Sequence, residues 1–391
     1  MSSSNHASQQ TWLPGSTIGI LGGGQLGRMM ALAGTAMGYR FITLDPAQDS
    51  PCGQVSGQIE AAYDDVQAAR RLAAASDVIT YEFENVDAEV AALLEKESRV
   101  PQGSALLYTT QHRLREKRAI EAAGVPVAPY REITSLESLK EAAAELGLPG
   151  VLKTATGGYD GKGQIVLRSE DQLEAAYEEL AASGRELVLE KFVDFQCEIS
   201  VIAARSPKGE VKSFPVAENI HVNNILHLSI VPARVEEQVQ REARKLAEQL
   251  VQHLGAVGLL AVEMFVTKDG QLYVNELAPR PHNSGHYTME ACATSQFEQH
   301  VRAVCNMPLG DTTLLTPVVM VNVLGQHLEQ VIHASGRPST AVTDYGVVPK
   351  LHLYGKSEVK KDRKMGHINL LCKDVQDGLD WVEQTNIWRQ G

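Results

Sequence analysis

Two glutamates, Glu263 and Glu276, are the residues whose spacing most clearly suggests chemistry. They lie in two β-rich runs separated by the dipeptide Asp269-Gly270, which is typical of a two-residue hairpin loop. Such a loop would place Glu263 opposite Glu276, with both carboxylates on one face of the hairpin. Like charges directly opposite one another are destabilising, so the pattern predicts a cation between them.

Oxygen ligands at one point favour a hard cation, and Mg²⁺ carried by a nucleotide is the candidate. The same register would pair Val266 with Tyr273, and strict alternation would point Asn275 away from Glu276. Asn275 can therefore be a third ligand only if the strand twists or ends there. The alternative is that one acid is solvated and the other forms a salt bridge.

A glycine-rich loop, "GGYDGKGQ" at residues 157–164, follows an apolar strand that contains Lys153. It is not a P-loop, because Gly161-Lys162 is followed by Gly163 rather than by Ser or Thr. Glycines let backbone N–H groups converge on an anion, and the two lysines add positive charge. Between two strands such a loop can close over a nucleotide as a lid. The alternatives are a solvated edge-strand lysine and an ordinary mobile hairpin tip.

The run from residue 17 to residue 45 has the order strand, glycine loop, helix and strand. Gly22, Gly24 and Gly27 match the GxGxxG fingerprint, and Asp45 ends the second strand where a ribose-binding acid would lie. Taken alone, the pattern predicts a dinucleotide site. The alternative is a tight turn with close helix packing and an anion at the helix N-terminus.

Further alternation of strands and helices extends to residues 77–86, which end in Glu82 and Glu84. These acids are either surface charges or face a ligand at the carboxyl edge of the sheet. The segment "VPVAP" cannot remain helical, which places a domain boundary near residue 113. We expect three parts: residues 1–113, residues 114–309 with a lid at about 114–189, and a small β-rich unit at 310–391.

Composition limits the function classes. The chain has 391 residues, of which 43% are apolar and 5% aromatic, and its formal charge is −12. No window approaches the roughly 18 uninterrupted apolar residues of a membrane span, and the acidic balance argues against a nucleic-acid surface. The five cysteines include no CxxC pair, and the first ten residues have no apolar signal-peptide core. Together these features predict a cytoplasmic protein that binds neither membrane nor nucleic acid.

The lysine strand, the glycine loop, "VLEKFVDFQCE" and the paired acids, in that order, resemble the ATP-grasp superfamily. The motifs "GILGGGQLGRM", "YEFENV" and "VNELAPRPHNSGHYT" are more specific, and over nearly the whole chain they resemble the N5-carboxyaminoimidazole ribonucleotide synthetase family. The resemblance implies an α/β and α+β multidomain fold. It would have a Rossmann-like N-terminal domain that binds no NAD, an ATP-grasp domain with a small lid, and a small β-rich C-terminal domain.

The resemblance also implies that ATP lies between the lid and a larger sheet. Mg²⁺, with Mn²⁺ as a substitute, would be held by Glu263, Asn275 and Glu276. The hinge against adenine would be residues 190–193, and Glu198 would bind the ribose hydroxyls. The residues assigned to ATP in this way are Arg113, Lys153, Gly158, Tyr159, Asp160, Gly161, Lys162, Gly163, Gln164, Glu190, Lys191, Phe192, Val193, Glu198, His221, Asn275 and Glu276.

The implied reaction carboxylates 5-aminoimidazole ribonucleotide with bicarbonate and ATP, through carboxyphosphate, in de novo purine (IMP) biosynthesis. Asp160 would meet the aminoimidazole, and Arg280 and His282 would face the bicarbonate-derived intermediate. The stretch "KKDRK" stands where the family usually has "RPGRK", which leaves the register of Arg363 open. The residues assigned to the substrate phosphate are Tyr159, Lys162, Lys356 and Arg363.

The resemblance further implies a homodimer whose other partners are small molecules. Alternatives within the superfamily are another carboxylating ligase of the biotin-dependent type or a formate-using ligase. From other classes, an NAD-dependent oxidoreductase would use Gly22 to Gly27, and a non-catalytic regulator would only bind a nucleotide. A second, carboxylate-rich hairpin favours the ligase, because a dehydrogenase does not need one.

Overall fold

The computed structural model of the chain describes residues 10–158, 162–335 and 346–389. The predictions for Tyr159, Asp160 and Gly161 lie outside the described residues. The fold is a mixed α/β multidomain architecture built around three sheets. In the described part of the chain, no helix has the length and apolar character needed to cross a membrane.

The N-terminal sheet is parallel and has the strand order β3-β2-β1-β4. Both β1 and β4 are buried almost throughout, as expected of parallel strands covered on two faces. The elements are β1 (Thr17–Leu21), α1 (Gln25–Ala36), β2 (Arg40–Asp45), β3 (Gly57–Glu60), α2 (Val66–Ala75), β4 (Val78–Tyr81), α3 (Ala88–Glu97) and α4 (Ala105–Thr110).

An antiparallel sheet, also of four strands, follows with the order β5-β8-β6-β7, and the glycine loop joins β6 to β7. The helix at Leu136–Leu146 begins where Ser135 caps it and shares a reciprocal capping box with Ser138. The elements are α5 (Arg113–Ala122), β5 (Tyr130–Ile133), α6 (Leu136–Leu146), β6 (Gly150–Thr154), β7 (Gln164–Leu167), α7 (Leu173–Ala181) and β8 (Leu187–Lys191).

The third sheet has nine strands in the order β14-β13-β9-β11-β12-β15-β17-β16, with β10 paired to β9. Its first elements are β9 (Phe195–Arg205), β10 (Val211–Ser213), β11 (Ala217–Val222), β12 (Ile225–Val231), α8 (Glu237–His253), β13 (Gly258–Thr267) and β14 (Leu272–Ala278). The remaining elements are α9 (Thr288–Ala291), α10 (Gln296–Val304), β15 (Val318–Leu324), α11 (Leu328–Ser335), β16 (Val348–Leu353), β17 (Lys364–Leu371) and α12 (Val375–Thr385).

The hairpin of β13 and β14 differs from the prediction. Its loop has three residues rather than two: the Thr267 amide donates to the Gln271 carbonyl, and Gly270 at φ +78° completes the turn. The predicted pairing of Val266 with Tyr273 is therefore wrong, and Val266 instead faces Leu272.

The predicted pairing of Glu263 with Glu276 is nevertheless confirmed, because a bulge corrects the register. Met264 faces Val274 and Glu263 faces Glu276, so Asn275 is the extra residue in β14. A bulge places consecutive side chains in a non-alternating arrangement. Asn275 and Glu276 therefore both remain accessible, although strict alternation would separate them.

Candidate active site

A cavity of about 490 Å³ lies between the antiparallel sheet β5-β8-β6-β7, which we call the lid sheet, and the nine-stranded sheet. Its wall contains most of the residues singled out from the sequence, drawn from three elements of the lid sheet and four strands of the large one. Those residues are Arg113, Lys153, Gly158, Lys162, Gln164, Glu190, Lys191, Phe192, Val193, Glu198, His221, Glu263, Asn275, Glu276, Arg280 and His282.

Three predicted residues with described positions lie outside this wall: Gly163, Lys356 and Arg363. The Lys356 ammonium donates to the backbone carbonyl of Lys364 at 2.8 Å, and burial, followed by the charge of Arg363, lowers its pKa to about 8. Arg363 donates to the backbone carbonyl of Glu358 at 2.7 Å. Lys364, one residue further along the basic stretch, is the one that lines the cavity.

The bulged hairpin forms the acidic end of the cavity. Burial and then the neighbouring Glu276 raise the pKa of Glu263 to about 7, which means that this carboxylate lacks a full positive counter-charge. Glu276 is half exposed, and its carboxylate lies 3.9 Å from the Arg113 guanidinium. Asn275 lines the same wall.

Two carboxylates and one amide oxygen suit Mg²⁺, which usually binds through one or two carboxylates together with substrate phosphates. Within the described ranges, no group of three or more His, Cys, Asp or Glu side chains is arranged to hold a metal without such help. The donor set therefore fits an ion that arrives with a nucleotide, rather than one held in an all-protein cage.

A buried triad of charges lies at the cavity wall, to which it contributes Lys153 and Glu190. Glu190 lies between two lysines, with Lys153 at 3.0 Å and Lys117 at 3.3 Å. Burial alone would raise the Glu190 pKa, but Lys153 and Lys117 lower it to about 2. Burial lowers the pKa of Lys153, and Arg113 lowers it further. The triad carries a net positive charge in a water-poor place, as an anion site requires.

The opposite wall is apolar and ends in a polar pair. The rings of Phe195 and Phe265 stack with centroids 4.7 Å apart and face the cavity. Beyond them the Glu198 carboxylate lies 3.2 Å from Nδ1 of His221. Burial alone would lower the His221 pKa, yet its contact with Glu198 leaves it raised. A flat base and a sugar hydroxyl would find suitable surroundings here.

Arg280 and His282 follow β14 and line the cavity beside the acidic pair. The Arg280 guanidinium is 2.5 Å from the Glu84 carboxylate, so Glu84 orients a cavity residue instead of lying free on the surface. Nε2 of His282 lies 3.2 Å from Glu263. Burial and the charge of Arg280 hold the His282 pKa well below its usual value.

The N-terminal glycine loop is filled by the protein's own carboxylates. The amides of Gly24 and Leu26 donate to Glu82, and the amide of Gly23 donates to Asp45 at 2.8 Å. A Cβ on Gly24 would collide with the Glu82 carboxylate. Asp45 and Glu82 thus occupy donors that a dinucleotide would need, and we reject the dinucleotide interpretation of this fingerprint.

Several site residues escaped the sequence analysis. Lys117 and Glu116 lie on α5 within the basic run "RLREKR", of which only Arg113 was predicted to contact a ligand. Glu116 accepts from the Leu277 amide at 2.8 Å, and burial followed by Glu276 raises its pKa to about 8. Lys364 and Asn283 line the cavity next to residues that were predicted. The only signal for them was their proximity in the sequence to Arg363 and His282.

Comparisons with known proteins cover nearly the whole chain. Three family models match in succession: the ribonucleotide synthetase preATP-grasp domain at residues 16–111, the ATP-grasp domain at 118–297, and the phosphoribosylaminoimidazole carboxylase C-terminal domain at 318–380. The N5-carboxyaminoimidazole ribonucleotide synthase of Bacillus subtilis (strain 168) is 53% identical over 383 residues, which cover 97% of each chain. The chain belongs to the N5-carboxyaminoimidazole ribonucleotide synthase family.

Solved structures of this family superpose closely on the chain. An ADP complex of an N5-carboxyaminoimidazole ribonucleotide synthetase matches with a TM-score of 0.92 and 57% identity, covering 97% of this chain and 98% of that one. The Aspergillus clavatus enzyme in complex with ADP and 5-aminoimidazole ribonucleotide matches with a TM-score of 0.86 and 31% identity, covering 95% and 97%. Members of this family are ATP-grasp ligases, so the chain is an enzyme that uses ATP.

Proposed function

We propose that this enzyme carboxylates 5-aminoimidazole ribonucleotide with bicarbonate, converting ATP to ADP and phosphate and giving N5-carboxyaminoimidazole ribonucleotide for purine biosynthesis. The observation that carries the proposal is the single cavity that joins the acidic hairpin, the Lys153–Glu190–Lys117 triad and the Arg280–His282 pair. These groups suit a metal-bound phosphate, a transferred phosphoryl group and a small carboxyl anion, respectively.

ATP would lie along the cavity with its base toward residues 190–193 and the stacked Phe195 and Phe265. Glu198 would accept from the ribose hydroxyls, with His221 beside it. Lys153, Arg113 and the lid amides would bind the phosphates, because fixed positive charge and backbone donors stabilise the transferred group without reorganising.

Mg²⁺ would be held by Glu263, Asn275 and Glu276, with Mn²⁺ as a substitute. Bound there, the ion would supply positive charge that neutralises the charge developing during transfer. The raised pKa of Glu263 supports this assignment, since burial and the facing Glu276 both disfavour the charged form of Glu263 until a cation joins them. The bulge at Asn275 supports it too, because Asn275 lines the cavity together with Glu263 and Glu276, although strict alternation would point it away.

Bicarbonate is a poor electrophile, so the γ-phosphoryl group would first activate it as carboxyphosphate. Arg280, oriented by Glu84, would hold the carboxyl anion, and His282 would contact it from the other side. The exocyclic amine of the aminoimidazole then attacks the carboxyl carbon, and phosphate leaves. Water has to be excluded, since hydrolysis would waste the intermediate, and this explains a glycine lid over the cavity.

The ribonucleotide would bind between the lid and the C-terminal segment. Asp160 would orient the amine, and the substrate phosphate would be held by Tyr159, Lys162, Lys356 and Arg363. For Tyr159 and Asp160 the assignment depends on the family resemblance, because both lie outside the described residues. For the C-terminal pair, the position of Lys356 and Arg363 beside the cavity residue Lys364 supports it.

The domain boundaries at residues 113 and 309, a homodimeric assembly and a cytoplasmic location complete the proposal. All five cysteines are unpaired thiols, which supports a reducing compartment. Sedimentation of the full chain tests the assembly, and a monomer at micromolar concentration would contradict it.

The deciding experiment for the reaction is an ADP-release assay on the full chain, with each substrate omitted in turn. ADP release should require both bicarbonate and 5-aminoimidazole ribonucleotide, and one carboxylated ribonucleotide should form per ADP. ADP release stimulated instead by formate, biotin or another amine would overturn the substrate assignment. Reduction of NAD by any substrate of this chain would overturn the reaction class.

A further inference from the structure

A chain of buried hydrogen bonds ends on the ring of His282. It runs across three neighbouring strands, from Ser229 on β12 through Asn219 on β11 to Ser200 on β9, and then to Ser284 in the turn after β14. Ser284 reaches Nδ1 of His282 at 2.9 Å. Ser229, Asn219, Ser200 and Ser284 are between 0% and 6% exposed, so water does not compete for these bonds.

The donor-to-acceptor direction of this series of hydrogen bonds is set at His282. The backbone N–H of Ser284 points at Nδ1 of His282 at 3.4 Å, and a backbone amide can only donate. Nδ1 is therefore an acceptor, and the Ser284 hydroxyl must donate to it as well. A ring whose Nδ1 accepts carries its proton on Nε2.

The other links agree with that direction. Once the Ser284 hydroxyl donates to His282, its oxygen accepts from Ser200 at 2.8 Å. Ser200 then accepts from the side-chain amide of Asn219 at 2.9 Å, and the Asn219 carbonyl oxygen accepts from Ser229 at 2.8 Å. Hydrogen bonds aligned in one direction polarise one another, which strengthens the last bond onto the ring.

The main chain of the histidine is held separately. Gln296, which is fully buried, accepts from the His282 amide at 2.9 Å and donates to its carbonyl at 2.8 Å. The backbone and the ring are therefore fixed by different residues. Nε2 is left to face the cavity, 3.2 Å from Glu263.

We propose that Ser284, aligned by Ser200 and Asn219, fixes His282 as the tautomer protonated on Nε2, so that His282 serves the reaction as a hydrogen-bond donor and not as a base. The donor role rests on the function proposed above: Nε2–H binds an oxygen of the carboxyl group that passes from bicarbonate to the amine. No proton is transferred by His282 in this step. Ser284 is a positioning residue, since it acts through the ring.

The tautomer can be measured without any substrate. In the ¹⁵N NMR spectrum of histidine-labelled full-length protein, the signals lost in His282→Asn identify this ring. The expected spectrum has a protonated Nε2 and an unprotonated Nδ1. Ser284→Ala removes the hydroxyl contact at 2.9 Å and keeps only the longer backbone N–H contact at 3.4 Å, so it should add a population protonated on Nδ1 to the original tautomer. Ser206→Ala, a matched buried serine elsewhere, should leave the His282 signals unchanged. A proton on Nδ1 in the unmodified protein would overturn the proposal.

The donor role is tested by the ratio of ADP to carboxylated product. Ser284→Ala should lower kcat by roughly 10- to 100-fold and raise that ratio, because a misplaced donor lets the intermediate escape to water. Loss of kcat with an unchanged ratio would contradict the proposal and indicate a structural role.

A matched pair at the histidine separates a donor from a base. The side-chain NH₂ of Gln lies near the place of Nε2, whereas that of Asn lies near the place of Nδ1. His282→Gln should therefore retain roughly 10-fold more activity than His282→Asn. Equal loss in both variants would support a base and overturn the donor role. If the unmodified enzyme forms no carboxylated product, the proposed function fails, while the NMR spectrum still decides the tautomer.

Discussion

The molecule contains two glycine-rich loops that look alike in sequence but serve different purposes. In the N-terminal loop the amides of Gly23, Gly24 and Leu26 are taken by carboxylates of the same chain. In the loop between β6 and β7, Gly158 and Lys162 line an open cavity together with cationic side chains. A glycine fingerprint thus shows that a backbone can hold an anion, but not whether that anion comes from within the chain.

The largest expected effect belongs to the open cavity. Glu276→Gln should reduce ADP release by roughly 1,000-fold, because one of the two facing carboxylates proposed to hold the metal loses its charge. The thermal midpoint should change little, since Glu276 is 50% exposed. Glu237→Gln, on the exposed face of α8, is the matched control and should release ADP normally. Unchanged turnover in Glu276→Gln would remove the metal assignment.

In the N-terminal glycine loop, whose amides donate to carboxylates of the same chain, a substitution should change stability rather than ADP release. Glu82→Ala should lower the free energy of unfolding by roughly 3 kcal/mol, because buried backbone N–H groups lose their acceptor. ADP affinity should be unchanged, since Glu82 does not line the cavity. Urea denaturation and ADP titration measure the two quantities, with the exposed Glu60→Ala as the control. A loss below about 0.5 kcal/mol would show that the loop does not depend on Glu82.

The close packing of Glu82 against the N-terminal loop can also be tested by substituting a glycine. Gly24→Ala should destabilise the protein by about 2 kcal/mol, because the added Cβ collides with the Glu82 carboxylate and one of the two has to move. Gly57→Ala is the matched control, since a Cβ there meets its nearest atom at 3.6 Å. Equal midpoints of the two variants in urea would mean that the loop and Glu82 are not tightly packed.

The smallest effect concerns the buried carboxyl group of Glu116. The pKa of Glu116 is raised from 4.5 to about 8, so the folded protein holds a proton that the unfolded chain has released. This contribution to stability is complete below pH 4.5 and is lost as the pH rises through about 8. From pH 6 to pH 7 the protein should lose up to about 1.4 kcal/mol more than Glu116→Gln does. Parallel losses in urea denaturation would contradict the assignment.

Much of the fold was predictable because its signals are local. The strand, glycine loop and helix at residues 17–36 are encoded in consecutive residues, as is the Ser135 cap of α6. The pairing of Glu263 with Glu276 was predicted on a wrong premise, because the loop is one residue longer than expected and the bulge at Asn275 restores the register. The longer loop and the bulge shift the register by one residue in opposite directions. Together they therefore restore the pairing that strict alternation predicts for Glu263 and Glu276.

The rest depends on contacts between distant parts of the sequence. Nothing in "GGGQLG" shows that Glu82, 58 residues after Gly24, supplies the anion. Likewise, the basic run on α5 gave no sign that Lys117 is buried against Glu190. Lys364, the first residue of β17, lines the cavity and Arg363, just before the strand, does not, and nothing in the stretch "KKDRK" distinguishes the two.

The ladder between β12 and β15 has a consequence for anyone who shortens this protein. Val231 pairs with Val318 and Leu228 with Val321, so the C-terminal strands continue the same hydrogen-bonded sheet that forms the cavity. Cutting the chain near residue 310 would follow the domain boundary proposed from the sequence, but it would separate β12 from β15 within one sheet. It would leave "ILHLSIV" as a long apolar edge, the kind of strand that recruits other chains and precipitates.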